Sequence, residues 1–164
     1  FSKKSKSIFL VHQTHSNKVV YIGKNFKFRK KIKADAIITD QKKIPIAVLT
    51  ADCAPVLLYD HKTKLIAAIH AGWKGAFKGI IKSVVDNMKK KGCSGNDIVA
   101  AIGPCIKQNS YNVKEDFKKK FIKKHHRNRI FFNRKKGMLY FNLSKFVESE
   151  LKLNKITMNS FESQ

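Results

Sequence analysis

Three short stretches of the sequence carry side chains that could bind a metal ion or catalyse a reaction. They are Gln13-Thr14-His15, the run TADCAP from Thr50 to Pro55, and the run HAGWKG from His70 to Gly75. Within them, His15, Cys53 and His70 supply two imidazoles and one thiol. These are the ligand types and the number of a catalytic zinc site, in which a fourth position stays open to water or substrate.

The same three side chains permit two other interpretations. In one, Cys53 is a buried and inert thiol, and His15 and His70 are hydrogen-bonded within turns. In the other, a Cys53 thiolate is a nucleophile and His70 is its base. The three residues are far apart in the sequence, so both interpretations that use them together require the fold to bring them into contact.

The elements that must position these residues are short apolar runs bounded by turn residues. They predict strands at Ile8–Val11, Val19–Ile22, Ala36–Thr39, Ile44–Leu49, Val56–Tyr59 and Leu65–His70. Cys53 then falls in a turn between two strands, and His70 closes a strand just before a helix. Functional side chains concentrate at such positions, where a rigid sheet holds them open to solvent.

The second half of the chain is predicted to alternate helices with strands. Apolar residues at helical spacing predict one helix over Trp73–Met88 with Gly92 as its stop, a helix over Val113–Lys124, and a helix over Leu143–Leu151 with Asn142 as its N-cap. Further strands are predicted at Ile98–Ile102, Met138–Phe141 and Ile156–Met158. This order predicts a mixed-sheet, layered α/β (α+β) domain.

Length, cysteine content and the apolar runs indicate the number of domains, the cellular compartment and whether a helix spans a membrane. A chain of 164 residues is expected to form one domain with its own core. Three cysteines, an odd number without the spacing of a disulfide framework, favour a reducing compartment, and we expect the cytoplasm. The longest apolar run, residues 44–59, is interrupted by prolines and an aspartate, so no membrane-spanning helix is expected.

The charge balance raises the question of a nucleic-acid partner. Lys and Arg number 35 against 11 Asp and Glu, a formal charge of +24. Because nearly all of this excess is Lys rather than the planar Arg fork, we interpret it as solvated surface and expect at most weak, non-specific binding of nucleic acid. A polyanion-binding module that uses the densest cluster, residues 114–136, is the non-enzymatic alternative.

The motifs as a set resemble a known family. The run ADAIITDQKKIPIAVLTADCAPVLLYD, then LIAAIHAGWKGAFKGII, and then AAIGPCI with Tyr111 shortly after are similar to the YfiH-type laccase-domain family, variously described as polyphenol oxidase and purine nucleoside phosphorylase. The resemblance extends from about Leu10 to Phe141. It implies the YfiH-type fold and a zinc ion held by His15, Cys53 and His70.

The resemblance also implies an activity. It points to zinc-dependent phosphorolysis of adenosine, inosine and methylthioadenosine, with purine nucleoside and phosphate as substrates and adenosine deamination as a side activity. Copper-dependent oxidation of phenols is the alternative, although the sequence lacks the His-x-His clusters that further copper ions would need. An amidase that edits cell-wall precursors is a third possibility. The sequence implies no particular oligomeric state.

Other polar residues near the motifs receive provisional roles. Besides His15, Cys53 and His70, we assign Asp52 to the catalytic set as a ligand-orienting group or proton carrier, although it could equally cap a turn. Gln13 and Lys74 are expected to contact substrate, with Lys74 helping to hold phosphate.

The remaining candidates are expected to have structural roles, except Cys105, for which two roles stay open. His12 should face away from His15, Cys93 should lie in a loop, and His125 and His126 should be solvated. Trp73 is assigned to core packing rather than base stacking, and Asp35 and Asp40 to strand ends. Cys105 either lines the same cavity or is a small buried residue.

The sequence departs from the family pattern in several places. Ser16 stands where the family usually has Gly, and Tyr111-Asn112-Val113 replaces Tyr-Glu-Val. The family's N-terminal stretch with an Arg and a Gly-rich Ser-Leu-Asn, and its C-terminal Ser-x-Arg-Arg, have no counterpart. We therefore expect residues 1–164 to be a single domain truncated at both ends, which keeps its metal ligands and lacks part of its substrate pocket.

Overall fold

A six-stranded mixed sheet dominates the computed structural model, which describes residues 8–27 and 32–158. Its strands, numbered in chain order, are β1 Val19–Ile22, β2 Ala36–Thr39, β3 Ala54–Asp60, β4 Ile66–Ala71, β5 Ile98–Ile102 and β9 Thr157–Met158. Their spatial order is β1-β2-β4-β3-β5-β9. β1 is parallel to β2 and β9 is parallel to β5, whereas β4 is antiparallel to both β2 and β3.

These strand directions bring the ends of several strands together at one edge of the sheet. Because β4 runs opposite to β2 and β3, its C-terminal end lies beside their N-terminal ends. β5 is antiparallel to β3, so its C-terminal end reaches the same edge. The segments before β1, β2 and β3 and after β4 and β5 therefore converge, and they contain all three motifs.

Four α-helices in the described part of the chain complete the main layers. They are α1 Trp73–Phe77, α2 Ile80–Lys89, α3 Glu115–Lys124 and α4 Leu143–Leu153. The buried side of α2 packs against one face of the sheet. Val56 and Leu58 of β3 and Ile69 of β4 belong to the same hydrophobic core. β3 shows the period of two that this packing requires, since Val56 and Leu58 are buried while Leu57 is 57% exposed.

A smaller three-stranded sheet packs against α3. Its strands are β6 Asn112–Val113, β7 Phe132–Lys135 and β8 Met138–Phe141, in the order β6-β8-β7. Short 3₁₀ helices occupy Gly95–Asp97, Gln108–Ser110 and His126–Phe131. Phe121 and Phe141 are fully buried here with ring centroids 4.9 Å apart. The aromatic cluster extends the core to α1, because Trp73 packs edge-on against Phe117 at 4.9 Å.

The predicted mixed α/β class is confirmed, and so are several elements. Val19–Ile22, Ala36–Thr39, Ile98–Ile102 and Met138–Phe141 are strands with the predicted bounds. The N-cap of α4 is also confirmed, since the Asn142 side chain accepts a hydrogen bond from the Lys145 N–H at 2.9 Å. The remaining predicted strands and helices are present with shifted bounds, apart from three elements.

Those three predictions are wrong. The single helix over residues 73–88 is two helices, because Gly79 takes a left-handed φ of 86° that ends α1 before α2 begins. Residues 8–11 and 44–49 are not strands and share one isolated bridge, Phe9↔Ile46. Pro45 contributes only a carbonyl there, which accepts from the Phe9 N–H at 2.9 Å, so the pairing does not extend into a ladder.

None of the helices within residues 8–27 and 32–158 combines the length and apolar character needed to cross a membrane.

Candidate metal centre

A group of three side chains lies at the sheet edge where these strand ends converge. It consists of His15, Cys53 and His70. Cys53 immediately precedes β3, and His70 lies in β4 opposite Pro55, one position from the Ala54↔Ala71 pair. His15 lies in the segment before β1. One ligand atom from each of the three side chains lies within 4.8 Å of the others. Two antiparallel strands and one loop thus assemble the group.

The distances and donors of this group fit a metal ion. The Cys53 Sγ lies 3.7 Å from the His15 Nε2. Tetrahedral zinc with Zn–S of about 2.3 Å and Zn–N of about 2.0 Å would place the two atoms about 3.5 Å apart. His70 is only 4% exposed, Cys53 is half-buried and His15 is exposed. The cluster therefore has a buried side that fixes the ligands and an open side toward solvent.

Asp35 orients one of the ligands. The His70 Nδ1 lies 2.9 Å from the Asp35 Oδ1, and the His70 N–H donates to the Asp35 carbonyl at 2.8 Å. An imidazole that donates its Nδ1 proton to a carboxylate presents the lone pair of Nε2, which is the form that binds metals. Asp35 lies at the end of a strand, just before β2, as the sequence predicts, and it also orients His70.

Asp35 also fixes the loop that carries His15. Its carboxylate accepts the backbone N–H of His15 at 2.9 Å and of Ser16 at 2.6 Å, and the Ser16 hydroxyl donates to it at 2.6 Å. Burial by itself raises the pKa of Asp35, but hydrogen bonds from Ser16, then His70 and the backbone, lower it to about 2. Ser16, the departure from the family's usual Gly, thus contributes a bond that Gly lacks.

His15 has a backbone conformation that only a few residue types adopt. Its φ is 56°, in the left-handed region that costs a non-glycine residue on the order of 1–3 kcal/mol. The bonds from the His15 and Ser16 N–H groups to Asp35 hold the loop in this conformation. The turn directs the His15 ring toward His70, with ring centroids 4.7 Å apart.

Gly72 allows the backbone to pass close to the cluster. A Cβ at this position would lie 2.7 Å from the Cys53 Sγ and 2.8 Å from the His15 Cδ2. No side chain fits at such distances, so glycine is required for the space that the ligands use. The Gly in HAGWKG therefore has a steric function at the centre.

Three further groups lie around Cys53. Asp52 is exposed, whereas Cys105 and Tyr111 are half-buried. Burial raises the pKa of the Cys53 thiol, and the charges of Asp52, Asp35 and Cys105 raise it further. Burial, followed by the charges of Cys53 and Asp52, raises the pKa of Tyr111 to about 12. These neighbours keep a metal-free Cys53 protonated at neutral pH, whereas a bound cation would favour the thiolate.

Gln13 and Lys74 occupy different surroundings. Both polar atoms of the Gln13 amide bond the backbone of Leu49 at 2.8 Å, which fastens the segment that leads into Cys53. Lys74 is exposed, and its Nζ lies 5.7 Å from the centre of the Trp73 ring. Trp73 itself is half-buried at the first turn of α1, so its ring serves packing and also borders solvent.

The other candidates lie outside the cluster. His12 is exposed and pairs with Lys33 in an isolated bridge, and His125 and His126 are exposed. Cys93 lies in the loop after α2, is 7% exposed, and its Sγ is 3.2 Å from the Thr63 Oγ1. The sequence signal for Asp35 was an acidic residue between Ala34 and Ala36 at the start of the apolar run that predicts β2. A charge beside a strand that becomes buried needs partners.

The fold and the cluster together define a mixed α/β domain with a His–Cys–His group able to hold a metal ion. The chain belongs to the family described as multi-copper polyphenol oxidoreductase laccase, whose model matches residues 1–164. This is the YfiH-type laccase-domain family that the motifs resemble, so that prediction is confirmed.

Relatives in sequence and structure support the same assignment. A purine nucleoside phosphorylase of Rickettsia conorii is 38% identical over 151 residues, 91% of this chain and 61% of that protein. Adenosine deaminase RL5 of an unknown prokaryotic organism is 34% identical over 125 residues, 72% of this chain and 48% of that protein. The crystal structure of Bacillus licheniformis YfiH matches with a TM-score of 0.80 and 28% identity, covering 93% of this chain and 62% of that one. The chain thus spans about three fifths of the length of the Rickettsia relative.

Proposed function

We propose that this chain is the metal-bearing part of a purine nucleoside phosphorylase. It binds one zinc ion through His15, Cys53 and His70 and cleaves adenosine, inosine and methylthioadenosine with phosphate. The observation that carries the proposal is the convergence of these three ligand atoms within 4.8 Å. The activity named for the Rickettsia relative supports the reaction, and the deaminase relative supports adenosine deamination as a side activity.

Zinc suits the donor set of two imidazole nitrogens and one thiolate. Once bound, it would supply a Lewis acid on the open side of the cluster. The chain itself would keep the ligands in place: Asp35 holds the His70 ring by its Nδ1, and Gly72 leaves room for the Cys53 sulfur. Copper also accepts such ligands, so metal identity is part of the test.

Phosphate would be held by lysines beside Trp73. Lys74 and Lys120 both place their Nζ near this ring, at 5.7 Å and 5.6 Å from its centre. Trp73 follows Gly72 directly in the chain, and Gly72 borders the ligands. Two ammonium groups here would attract an anionic co-substrate to the centre, as lysines do at other phosphate sites. Gln13 keeps the loop before Cys53 in position and remains a candidate for substrate contact.

Asp52 would carry a proton. A purine base that leaves a nucleoside takes up a proton, and a carboxylate next to the centre can deliver or remove one. Asp52 is exposed and adjacent to Cys53 in the chain, and its carbonyl is fixed by the Ile106 N–H at 3.0 Å. The backbone is thus held while the carboxylate stays accessible to a substrate.

The metal assignment is tested by elemental analysis of protein purified without added metal. We expect close to one zinc per chain, no tight zinc in Cys53→Ala, and full zinc in the matched control Cys93→Ala. Stoichiometric zinc that survives the Cys53 substitution would contradict the site. Copper in place of zinc, together with oxygen-dependent oxidation of a phenol, would favour the oxidase alternative.

The reaction is tested by measuring base release from inosine with and without phosphate. The assay should use the 164-residue chain and any longer form that its gene encodes, because the relatives extend beyond the matched region. We expect phosphate-dependent formation of hypoxanthine and ribose 1-phosphate by the longer form. Zinc-loaded longer protein without this activity would refute phosphorolysis while leaving the metal site intact.

A further inference from the structure

Cys53 and Cys105 lie in two neighbouring chain segments that hydrogen bonds join on either side of them. β3 and β5 are antiparallel with Val56 opposite Ile102. The pairing continues beyond the strand ends, since the Gly103 N–H donates to the Pro55 carbonyl at 2.9 Å and the Ile106 N–H to the Asp52 carbonyl at 3.0 Å. Cys53 lies in the chain between the two acceptors, Asp52 and Pro55, and Cys105 lies between the two donors.

This placement brings the two thiols within reach of each other. Neighbouring chain segments joined by such backbone hydrogen bonds lie about 4.7–4.9 Å apart. A disulfide bond needs a Cα separation of about 4.4–6.8 Å. The contribution of Cys105 to the raised pKa of the Cys53 thiol agrees with this proximity. Both side chains are half-buried free cysteines, so a small oxidant can approach them.

Cys105 has no assigned part in metal binding. The group of possible ligands in the described residues consists of His15, Cys53 and His70, without Cys105. A second thiol next to a ligand thiol, but outside the ligand group, can compete with the metal for the ligand sulfur. Metal binding and a disulfide bond both use the Cys53 Sγ, so only one can exist at a time.

We propose that the Cys53–Cys105 pair is a redox modification site, at which a disulfide bond forms in the metal-free protein and blocks metal uptake. The inference rests on the metal site of the proposed function but not on its reaction. The oxidant is a small-molecule disulfide such as oxidised glutathione. A reductant restores the two thiols and with them the capacity for metal.

The exchange reaction balances in two steps. The Cys105 sulfur attacks one sulfur of the small disulfide, which forms a mixed disulfide and releases one small thiol. The Cys53 sulfur then attacks the Cys105 sulfur, which forms the protein disulfide and releases the second small thiol. The two cysteine protons end on the two released thiols. The protein is oxidised by two electrons and loses about 2 Da, and the small disulfide is reduced.

The experiment compares metal-free and zinc-loaded protein incubated with oxidised glutathione at about pH 9, above the ordinary thiol pKa of about 8.5. The higher pH is chosen because burial raises the pKa of both the Cys53 and the Cys105 thiol. Proteolysis without reductant and mass spectrometry then locate the cross-link. We expect a peptide pair joined through Cys53 and Cys105 in the metal-free sample and little of it in the zinc-loaded one. Zinc uptake should fall by the fraction of cross-linked chains and return after dithiothreitol.

Two serine variants give the controls. Cys105→Ser should bind zinc normally and, after oxidation, carry no internal cross-link, so its zinc uptake should exceed that of oxidised wild type. Cys93→Ser should behave as wild type. Metal-free protein that acquires only glutathione adducts, or a cross-link that leaves zinc uptake unchanged, would overturn the proposal. Reduced protein that binds no zinc would instead refute the metal site. Mass spectrometry detects the cross-link independently of zinc, so the two failures can be distinguished.

Discussion

The Asp35 carboxylate lies 2.9 Å from the His70 Nδ1, and this contact joins the residue before β2 to the His–Cys–His group. Both residues are buried, at 0% and 4% exposure. The same carboxylate accepts N–H groups from the loop that carries His15. One acidic side chain therefore fixes two of the three proposed ligand residues, although it is not in the proposed ligand set itself.

Replacing Asp35 should weaken metal binding. We expect Asp35→Asn, which keeps an accepting oxygen but loses the charge, to bind zinc about 10–100-fold less tightly, as when comparable supporting carboxylates are removed elsewhere. Competition against a chelator measures the affinity, and circular dichroism verifies the fold. Asp40→Asn is the control, because Asp40 is exposed and bonds Tyr21 rather than the cluster. Unchanged affinity in folded Asp35→Asn would show that Asp35 does not support the ligands.

Gly72→Ala should impair zinc binding, whereas Gly79→Ala should impair the stability of the fold. The Cβ of Gly72→Ala would collide with the Cys53 Sγ and the His15 ring, so tight zinc binding should be lost. Gly79 has open space around its Cβ position but a φ of 86°. Gly79→Ala should thus lower the free energy of unfolding by about 1–2 kcal/mol and leave zinc stoichiometry unchanged.

Denaturant unfolding and metal analysis separate these two effects. Zinc retained at wild-type affinity in Gly72→Ala would contradict the steric function of Gly72. Loss of zinc in folded Gly79→Ala would show that the break between α1 and α2 controls the centre, contrary to our expectation.

Asp60 should make stability depend on pH. It is fully buried at the end of β3 and accepts the N–H groups of Lys62 and Thr63 at 2.9 Å and 2.8 Å. Burial raises its pKa, but these hydrogen bonds outweigh burial, so its pKa is lowered. A pKa lower in the folded state than in the unfolded state stabilises the fold above the unfolded pKa of about 3.9, and this stabilisation is lost as the pH falls through the folded pKa.

Asp60→Asn should therefore cost about 1–3 kcal/mol of unfolding free energy at neutral pH and less in acid. Urea unfolding at about pH 7 and pH 3 measures the difference. Asp86→Asn is the control, because its ion pair with Lys82 is exposed and contributes at most about 1 kcal/mol. An equal loss at both pH values would indicate that the Asp60 charge has no stabilising effect.

Nucleic-acid binding should be weak and strongly salt-dependent. If the lysines form a solvated surface without a specific site, removing three from residues 114–136 should weaken binding no more than removing three elsewhere. Two triple variants with Lys changed to Ala are compared, and all six lysines are exposed. One changes Lys119, Lys123 and Lys135, and the other changes Lys42, Lys89 and Lys107. Fluorescence anisotropy with duplex and single-stranded oligonucleotides over a salt series provides the measurement. Tight binding with a sequence preference near physiological salt would favour the polyanion-binding alternative.

Local sequence determined most of the elements. The strand Ile98–Ile102 is an apolar run next to turn residues, and the helix after Asn142 has both a cap and an apolar face, so neighbouring residues suffice to predict them. The break at Gly79 was missed because the apolar spacing continues across it. The predicted strands at 8–11 and 44–49 failed because strand formation needs a partner ladder, and only one bridge forms between them.

The sequence by itself also determined the residue types of the centre, since the three motifs contain His15, Cys53 and His70. Only the tertiary structure decided that these side chains meet, that Asp35 bonds His70 and the His15 loop, and that the segment of Cys105 lies beside that of Cys53. The physical reason is that proximity between distant segments depends on strand order and register, which pair β4 with β2 and β3. Local spacing carries no information about that pairing, so a buried carboxylate and its partners become visible only in the folded chain.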